Sequence, residues 1–304
     1  MKVAALDLGT NSFLCLIAEV ENGRIQKVYS DQVQVVRLGQ DVNRTKQFQP
    51  EALSRAQASL QKFRDTIALH QPEKVLAMAT SAARDVTNAH ELFEIAATLQ
   101  IPMEIIPGAR EAEITFRGAI SGLSLDQKRR AVIDIGGGST EIIAGTHDRI
   151  FAGHSVDVGA VRLTEMFFPS QPPEAKAIKQ LESHLQAKME KLIAEVRSQN
   201  VDELIAVAGT PTELAAATLG GFDPQQIDGF ILTGQALKSW VGKFSKSSSL
   251  ERTENFGISK GRADVILAGT LILEHALREL GFSSLQVSTR GVRYGVALEL
   301  EKRI

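Results

Sequence analysis

Hydrophobic and polar positions follow two kinds of pattern along this chain. Short apolar runs rich in β-branched residues, typical of buried strands, are separated by longer stretches with apolar residues at helical spacing. Residues 1–40 predict strands, and further strands are predicted at residues 74–80, 101–106, 131–144, 150–158, 203–208 and 285–288. Helices are predicted at residues 50–69, 91–99, 110–120, 161–167, 174–198, 212–219, 234–244, 262–280 and 291–301. This order predicts an α/β protein whose second half repeats the theme of the first.

The most informative stretch is residues 131–144, AVIDIGGGSTEIIA. Two apolar runs, too short for helices, flank three consecutive glycines, which predicts a strand, a tight turn and a returning strand. The glycines at 136–138 allow several backbone N–H groups to turn toward one point, which suits a phosphate oxygen. Asp134 and Glu141 flank the loop, and two carboxylates beside a phosphate are suited to holding Mg²⁺. The alternative is an ordinary glycine-rich hairpin turn with a polar rim.

A second copy of this pattern lies near the N-terminus. Residues 3–18 read VAALDLGTNSFLCLIA, again with apolar runs on both sides of a short loop. Sliding one stretch on the other aligns Asp7 with Asp134, Gly9 with Gly136 and Ser12 with Ser139. Two phosphate-type hairpins, each opening with Asp-x-Gly, predict two similar halves that face one cleft. The predicted domains are residues 1–124 and 125–304, with the option that the closing helix packs back on the first domain.

Composition and charge limit the functions that such a fold can serve. The sequence has 304 residues and a net charge of −2, so it lacks the overall basic field that non-specific nucleic-acid binding needs. The single cysteine, Cys15, excludes an internal disulfide and a cysteine-rich metal site. Asp7 interrupts the first apolar run, so no secretory leader is predicted, and no stretch approaches the ~20 apolar residues of a membrane span. We therefore expect a cytoplasmic protein with no nucleic-acid or membrane partner.

Seven short motifs, spread over nearly the whole chain, carry a family resemblance. They are residues 7–13 (DLGTNSF), 79–88 (ATSAARDVTN), 108–112 (GAREA), 134–141 (DIGGGSTE), 158–165 (VGAVRLTE), 208–215 (AGTPTELA) and 262–269 (RADVILAG). In this order they resemble the exopolyphosphatase / guanosine pentaphosphate phosphatase family. The resemblance implies two actin-like (ribonuclease H-like) α/β domains with an interdomain cleft, in the superfamily of actin, sugar kinases and heat-shock ATPases. It also implies the short, two-domain form, without the C-terminal helical domain of many members.

The resemblance also implies roles for individual residues. Glu111, in the GxxEA segment, matches the catalytic glutamate of the family, which would accept a proton from the attacking water. Substrate phosphates would be bound by Gly9, Thr10, Asn11, Ser12, Arg84, Gly136, Gly137, Gly138, Ser139, Gly209, Thr210 and Arg262. Mg²⁺, or another hard divalent ion such as Mn²⁺, would be held by Asp7, Asp134 and Glu141.

Six of these assignments have a structural alternative that the sequence leaves open. Asp7, Asp134 and Glu141 are otherwise solvated loop acids. Glu111 is otherwise an acid that favours the dipole at a helix N-terminus. Arg84 is otherwise a surface arginine. Arg262 opens a buried helix and either reaches the distal chain or a nucleotide end, or forms an ion pair with Asp264.

Four further features complete the sequence-based interpretation. Glu113 is explained by a surface ion pair with Arg117, and residues 128–130 (KRR) by a solvated loop face. Residues 245–255 are polar and serine-rich, the best candidate for a mobile segment. Tyr294 departs from the resembled family, which often has a glutamate after the arginine of its last motif.

The favoured function is an exopolyphosphatase that releases terminal orthophosphate from inorganic polyphosphate with Mg²⁺ and water. The sister activity, hydrolysis of the terminal 5′-phosphate of guanosine pentaphosphate, uses the same chemistry, and the motifs do not separate the two. An acceptor-dependent small-molecule kinase of the same superfold and a non-catalytic nucleotide or polyphosphate sensor are the alternatives from other classes. A homodimer would suit the family.

Overall fold

The computed structural model describes residues 1–303, so the last position of the predicted second domain, 304, lies outside the described residues. The chain divides into two compact units. The first contains residues 1–123 and the chain from Gly291 onward, and the second contains Ser124–Arg290. Each unit is organised around a β-sheet with helices packed on it, so the α/β class predicted from the sequence is confirmed.

The elements follow one another in the order that the hydrophobic pattern predicts, with additional short helices and one additional strand. They are β1 (Lys2–Leu8), β2 (Ser12–Glu21), β3 (Arg24–Val35), α1 (Val42–Thr45), α2 (Pro50–His70), β4 (Lys74–Ala79), α3 (Ser81–Arg84), α4 (Ala89–Thr98), β5 (Met103–Ile105), α5 (Gly108–Ile120), β6 (Arg130–Ile135), β7 (Thr140–Gly145), β8 (Ile150–Val156), α6 (Ala160–Phe167), α7 (Ala175–Arg197), β9 (Glu203–Val207), α8 (Gly209–Leu219), α9 (Pro224–Ile227), β10 (Ile231–Thr233), α10 (Gly234–Phe244), α11 (Ser249–Phe256), α12 (Ile266–Leu280), β11 (Ser284–Val287) and α13 (Val292–Lys302).

The sheet of the first unit has the strand order β3-β2-β1-β4-β5. The pairs β1–β2 and β2–β3 are antiparallel, whereas β4 runs parallel to β1 and to β5. Leu8 pairs with Ala79, and Ala79 pairs with Ile105, so the carboxyl ends of β1, β4 and β5 share one edge. Side chains alternate between the faces of a strand, which places Asp7 on the same face of β1 as Val3 and Ala5.

The sheet of the second unit has the strand order β10-β11-β9-β6-β7-β8. Its β6-β7-β8 part is an antiparallel meander, and β9 runs parallel to β6 and to β11. The meander followed by parallel strands repeats the arrangement of the first unit. Asp134 pairs with Val207 and Ala206 with Val287, so the carboxyl ends of β6, β9 and β11 also share one edge, where ligands of open α/β sheets bind.

Helix α13 closes the chain on the first unit by packing against α5 and β1. Two glycines allow the backbones of α5 and α13 to come unusually close. A Cβ on Gly118 would lie 2.2 Å from the carbonyl oxygen of Gly291, and one on Gly295 would lie 2.0 Å from that of Ile114. The position of α5 in this unit therefore depends on α13.

Most of the segment predicted to be mobile forms a regular helix that begins at Ser249, so that prediction was wrong. Helix α11 begins with a capping box in which Ser248 and Glu251 exchange side-chain and backbone hydrogen bonds. Arg252 is completely buried, and its guanidinium donates to the carbonyl oxygens of Phe244 at 2.6 Å and Ala263 at 2.9 Å. The polar residues of this segment include a helix cap and a buried arginine, which favour regular structure.

Two other predicted boundaries differ by about one helical turn. Helix α12 begins at Ile266 rather than at residue 262, so Arg262 lies in the turn before it. Helix α8 begins at Gly209, three residues before the predicted start at residue 212. Strand β10 and the single-turn helix α9 were not predicted at all.

The predictions for two charged clusters have opposite outcomes. Glu113 accepts from Arg117 at 3.1 Å with both side chains partly exposed, as predicted. Arg130 is not part of a solvated loop face, because it is only 3% exposed. Its guanidinium binds both carboxylate oxygens of Asp126, at 2.7 and 2.8 Å, and Glu203 at 3.0 Å.

Within residues 1–303, none of the helices has both the length and the hydropathy that crossing a membrane would require.

Candidate active site

The loop between β6 and β7 is held by backbone hydrogen bonds on two sides. The N–H group of Gly136 donates to the carbonyl oxygen of Ser139 at 3.0 Å and closes the turn. The first three residues of α6 donate their N–H groups to the carbonyl oxygens of Gly136 and Gly137 at 2.9 to 3.0 Å. A Cβ on Gly159, the residue before α6, would lie 2.4 Å from the oxygen of Gly137. Only glycine permits this close approach.

These bonds orient the N–H groups of the loop. In a planar trans peptide, the C=O and the following N–H point in opposite directions. Because the oxygens of Gly136 and Gly137 are directed at α6, the N–H groups of Gly137 and Gly138 point away from it. Arg162 Nε donates to the oxygen of Gly138 at 2.8 Å, which turns the N–H of Ser139 in the opposite direction. Successive N–H groups aimed outward form an anion-binding nest.

The loop between β1 and β2 is organised in the same way. Gly9 N–H donates to the oxygen of Ser12 at 3.1 Å, the counterpart of the bond that closes the other loop. The oxygens of Thr10 and Asn11 accept from backbone N–H groups of residues 36–39 at 2.8 to 3.0 Å. The N–H groups of Asn11 and Ser12 therefore point away from residues 36–39. Each unit thus has its own loop with the chemistry of a phosphate-binding hairpin.

Two of the predicted metal-binding carboxylates lie side by side in the second unit. Asp134 on β6 and Glu141 on β7 are directly paired across the antiparallel ladder, and they are 6% and 1% exposed. Glu141 Oε1 accepts from Ser155 Oγ at 2.6 Å. Directly opposed residues have Cβ atoms ~5 Å apart, so two carboxylates in this register would repel each other without a nearby positive charge.

The donor set fits a hard divalent ion that is only partly held by protein. Among residues 1–303 there is no group of three or more His, Cys, Asp or Glu side chains placed to hold a metal ion. Mg²⁺ does not need such a cage, because it is usually bound by one or two carboxylates together with water and substrate phosphates. Asp134 and Glu141 supply that pair. Asp7 in the first unit lies on β1, opposite Leu14 of β2.

Glu111 is a buried acid in the first turn of α5, 6% exposed. Arg84, at the end of the single-turn helix α3, donates from Nη1 to Glu111 Oε2 at 2.7 Å and to the carbonyl oxygen of Ile106 at 2.9 Å. The topology explains why two residues 27 positions apart meet: β4 and β5 are parallel neighbours, so the residues that follow them lie at the same sheet edge. The sequence did not predict this ion pair, and it replaces the surface-arginine alternative for Arg84.

Opposing effects set the electrostatics of Glu111. Burial raises the pKa of its carboxyl group, while the charge and hydrogen bond of Arg84 and a hydrogen bond from Thr80 act to lower it, and burial prevails. A carboxyl group with a raised pKa is closer to the range that general base catalysis uses.

The motifs at residues 208–215 and 262–269 meet in the second unit. The guanidinium of Arg262 lies against the start of α8, where a Cβ on Gly209 would be 1.8 Å from Nη1. Arg262 Nε is 3.8 Å from Glu213 Oε1, an acidic neighbour that the sequence analysis did not name. Thr210 packs against Gly269 of α12 with no room for a Cβ between them.

A buried ion pair that sequence reasoning missed lies in the first unit. Arg293, in the first turn of α13, donates from Nε and Nη2 to the two carboxylate oxygens of Asp31 on β3, at 2.6 and 2.8 Å. Tyr294 donates its hydroxyl to the same carboxylate at 3.1 Å. Burial acts to lower the pKa of Arg293, but the charge and hydrogen bonds of Asp31, together with the charges of Tyr294 and Asp7, outweigh burial and hold that pKa above its usual value. The only sequence signal was the unusual tyrosine at position 294.

Comparison with known proteins identifies the family. The model of the Ppx/GppA phosphatase family matches residues 16–304. A curated protein, exopolyphosphatase 2 of Mycobacterium tuberculosis, is 35% identical over 314 aligned positions that cover 98% of this chain and 98% of that protein. The chain belongs to the Ppx/GppA phosphatase family. It is therefore a phosphatase and a hydrolase, which removes the kinase and sensor alternatives.

Solved structures of Ppx/GppA relatives agree with this fold. The family member from Aquifex aeolicus superposes with a TM-score of 0.81 at 29% identity, covering 100% of this chain and 99% of that one. An exopolyphosphatase from Cytophaga hutchinsonii superposes with a TM-score of 0.91 at 26% identity, covering 99% and 98% of the two chains. The prediction of two actin-like α/β domains is thereby confirmed.

The predicted site residues of this Ppx/GppA phosphatase fall into two groups. The first unit holds Asp7, Gly9, Thr10, Asn11, Ser12, Arg84 and Glu111, which follow or end β1, β4 and β5. The second unit holds Asp134, Gly136, Gly137, Gly138, Ser139, Glu141, Gly209, Thr210 and Arg262, which surround the carboxyl ends of β6 and β9 and the start of α12. Within each unit, residues far apart in sequence thus gather at the carboxyl edge of the central sheet.

Proposed function

We propose that this Ppx/GppA phosphatase is an exopolyphosphatase that releases terminal orthophosphate from inorganic polyphosphate. The proposed substrate class rests on the Mycobacterium tuberculosis relative, which is named an exopolyphosphatase and aligns over 98% of both chains. The two loops support it, because oriented N–H groups suit a substrate that consists of phosphate groups. We propose in addition that it acts in the cytoplasm and as a homodimer.

The reaction needs a water molecule to attack the terminal phosphorus and a group to take its proton. We assign the second role to Glu111, whose carboxylate lies at the sheet edge that also carries the loop at residues 9–12. The new P–O bond forms to the water oxygen, the bridging P–O bond breaks, and the leaving oxygen remains on the shortened chain. The water proton passes to Glu111.

The other residues bind and orient the substrate. Outward N–H groups of both loops, with the hydroxyls of Thr10, Ser12 and Ser139, would hold phosphate oxygens in line for attack. Asp7, Asp134 and Glu141 are the carboxylates that would hold Mg²⁺ or Mn²⁺. A bound divalent ion would neutralise charge that develops on the transferred phosphoryl group.

Phosphate release from four substrates tests this proposal. Long-chain polyphosphate, tripolyphosphate, guanosine pentaphosphate and ATP are incubated in parallel with Mg²⁺ and without an acceptor. We expect the highest kcat/KM for a polyphosphate. A preference for guanosine pentaphosphate would reassign the substrate within the same family, and no release from any of the four by folded, metal-loaded protein would contradict the proposal.

A further inference from the structure

The contact between Arg84 and Glu111 occupies one atom that each residue would use in its simplest role. A general base needs a carboxylate that can reach the attacking water, but Glu111 Oε2 is engaged by Arg84 Nη1 at 2.7 Å. An arginine that binds substrate donates to phosphate, and Arg84 directs one of its nitrogens, Nη1, at Glu111 and at the carbonyl oxygen of Ile106. The two roles are compatible if they alternate.

Within the described residues, Arg84 is the charged group that acts on the Glu111 carboxyl group. The interactions that act on the Glu111 carboxyl group come from Arg84 and Thr80. On its own helix, Arg110 and Glu113 pair with each other at 2.7 Å.

Helix α13, which packs against α5, directs its charges elsewhere. Arg293 binds Asp31, and Glu299 binds Arg110 and Arg303. A change at Arg84 therefore acts on Glu111 without compensation from α13.

Arg84 and Glu111 differ in how much of each side chain is exposed to solvent. The side chain of Glu111 is 8% exposed and that of Arg84 is 21% exposed. An anion arriving from solvent therefore meets the guanidinium before it meets the carboxylate. The terminal group of a polyphosphate carries more negative charge than a single carboxylate, and guanidinium binds phosphate in a bidentate geometry.

We propose that Arg84 is a positioning residue that holds Glu111 in the free enzyme and moves its guanidinium to the terminal phosphate when substrate binds. Substrate binding then frees Glu111 Oε2 to accept the proton of the attacking water. Glu111 Oε2 therefore becomes available as a base only when the substrate is bound. It deepens the proposed function and rests on it.

The exchange has a consequence for the pH dependence of the reaction. Glu111 acts as a carboxylate, so activity falls as the pH drops through its pKa. Arg84 opposes the effect of burial on that pKa in the free enzyme, and this opposition weakens once Arg84 binds phosphate. The acidic limb of kcat reports the enzyme–substrate complex, whereas that of kcat/KM reports the free enzyme. We expect the limb of kcat to lie about one to three pH units higher.

The experiment measures both profiles for the wild-type enzyme, Arg84→Gln, Arg84→Lys and Arg117→Gln, with polyphosphate as the substrate. Arg117→Gln is the matched control, because Arg117 pairs with Glu113 on the far part of α5. It should retain the wild-type separation. In Arg84→Gln the two limbs should coincide at the higher position, and Arg84→Lys, which keeps the charge, should retain part of the separation. Coincident limbs in the wild-type enzyme would overturn the inference while leaving the phosphate-release function intact.

A second measurement needs neither turnover nor a stable Arg84 variant. Infrared difference spectra between the wild-type protein and Glu111→Gln isolate the Glu111 carboxyl group, which is titrated with and without a methylene-bridged triphosphate that cannot be hydrolysed. Adding this probe should raise the midpoint of the titration. An unchanged or lowered midpoint would overturn the inference, even if the enzyme proved to act on another phosphoanhydride.

Discussion

Glu111 shows how burial and one neighbour decide the behaviour of a single side chain. Removal from water disfavours the charged carboxylate, and an adjacent guanidinium favours it. The first effect prevails, so the group is a stronger base than an exposed glutamate. Glu113, two positions later on the same helix, is partly exposed and paired with Arg110 and Arg117, which outweigh the effect of burial and lower its pKa. Neighbouring glutamates of one helix are thus suited to different roles.

We predict that Glu111→Gln lowers kcat for phosphate release by about 10²- to 10⁴-fold, the range that a general base contributes. The substitution preserves the shape of the side chain and removes the charge that holds Arg84, so the affinity for polyphosphate should not fall. Steady-state kinetics and equilibrium binding measure the two effects. Glu113→Gln is the control and should stay close to the wild-type kcat. Wild-type phosphate release by Glu111→Gln would show that another group takes the proton.

The packing of secondary-structure elements determines how firmly the Glu111 side chain is positioned. Helix α5 carries Glu111, and α13 contacts α5 through Gly118 and Gly295 with almost no space between the two backbones. Such a contact cannot adapt by rotating a side chain, because the nearest atoms belong to the main chain. Helix α13 therefore supports the helix that carries Glu111.

We predict that Gly295→Ala destabilises the protein by ~1–3 kcal/mol, the typical cost of overpacking, because its Cβ would lie 2.0 Å from the backbone oxygen of Ile114. Urea unfolding measures the change. Gly242→Ala in α10 is the matched control, since no atom lies within 4 Å of its added Cβ. It should be neutral or stabilising by up to ~1 kcal/mol, because glycine is unfavourable inside a helix. Equal stabilities of the two variants would contradict the close contact.

At the scale of the whole molecule, the two units repeat one plan with different surroundings. Each has an antiparallel meander, parallel strands beside it and a glycine-containing loop after its central strand. Cys15, the single cysteine of the sequence, lies in β2 and reports on the first unit. Burial, together with the charge of Asp31, raises the pKa of its thiol to about 12.

We predict that Cys15 does not react with iodoacetamide in the native protein near neutral pH. Only the thiolate is reactive, and both the raised pKa and the burial suppress it. In increasing urea, mass spectrometry should show labelling that follows the unfolding of the first unit. The variant Cys15→Ala with Ser54→Cys places the thiol on the exposed side of α2 and should react at once. Rapid labelling of native wild-type protein would contradict the buried position of Cys15.

The sequence by itself determined the α/β class, the long helices and both loops. These features depend on hydrophobic periodicity and on glycine, which act between near neighbours in the chain. The alignment of Gly9 with Gly136 predicted two loops that indeed share the same closing hydrogen bond. Family membership followed from the motifs for the same reason, since each motif is local.

Tertiary structure alone decided which charged groups far apart in the sequence meet. Arg293 and Asp31 are separated by 262 positions, Arg130 and Glu203 by 73, and no local pattern predicts either pair. The same holds for Arg84 and Glu111, which meet because β4 and β5 pair in parallel and end at one edge. Their charges therefore acquire partners, burial and altered pKa values only when the sheets assemble, because the energies of ion pairs depend on distance and desolvation in the folded state.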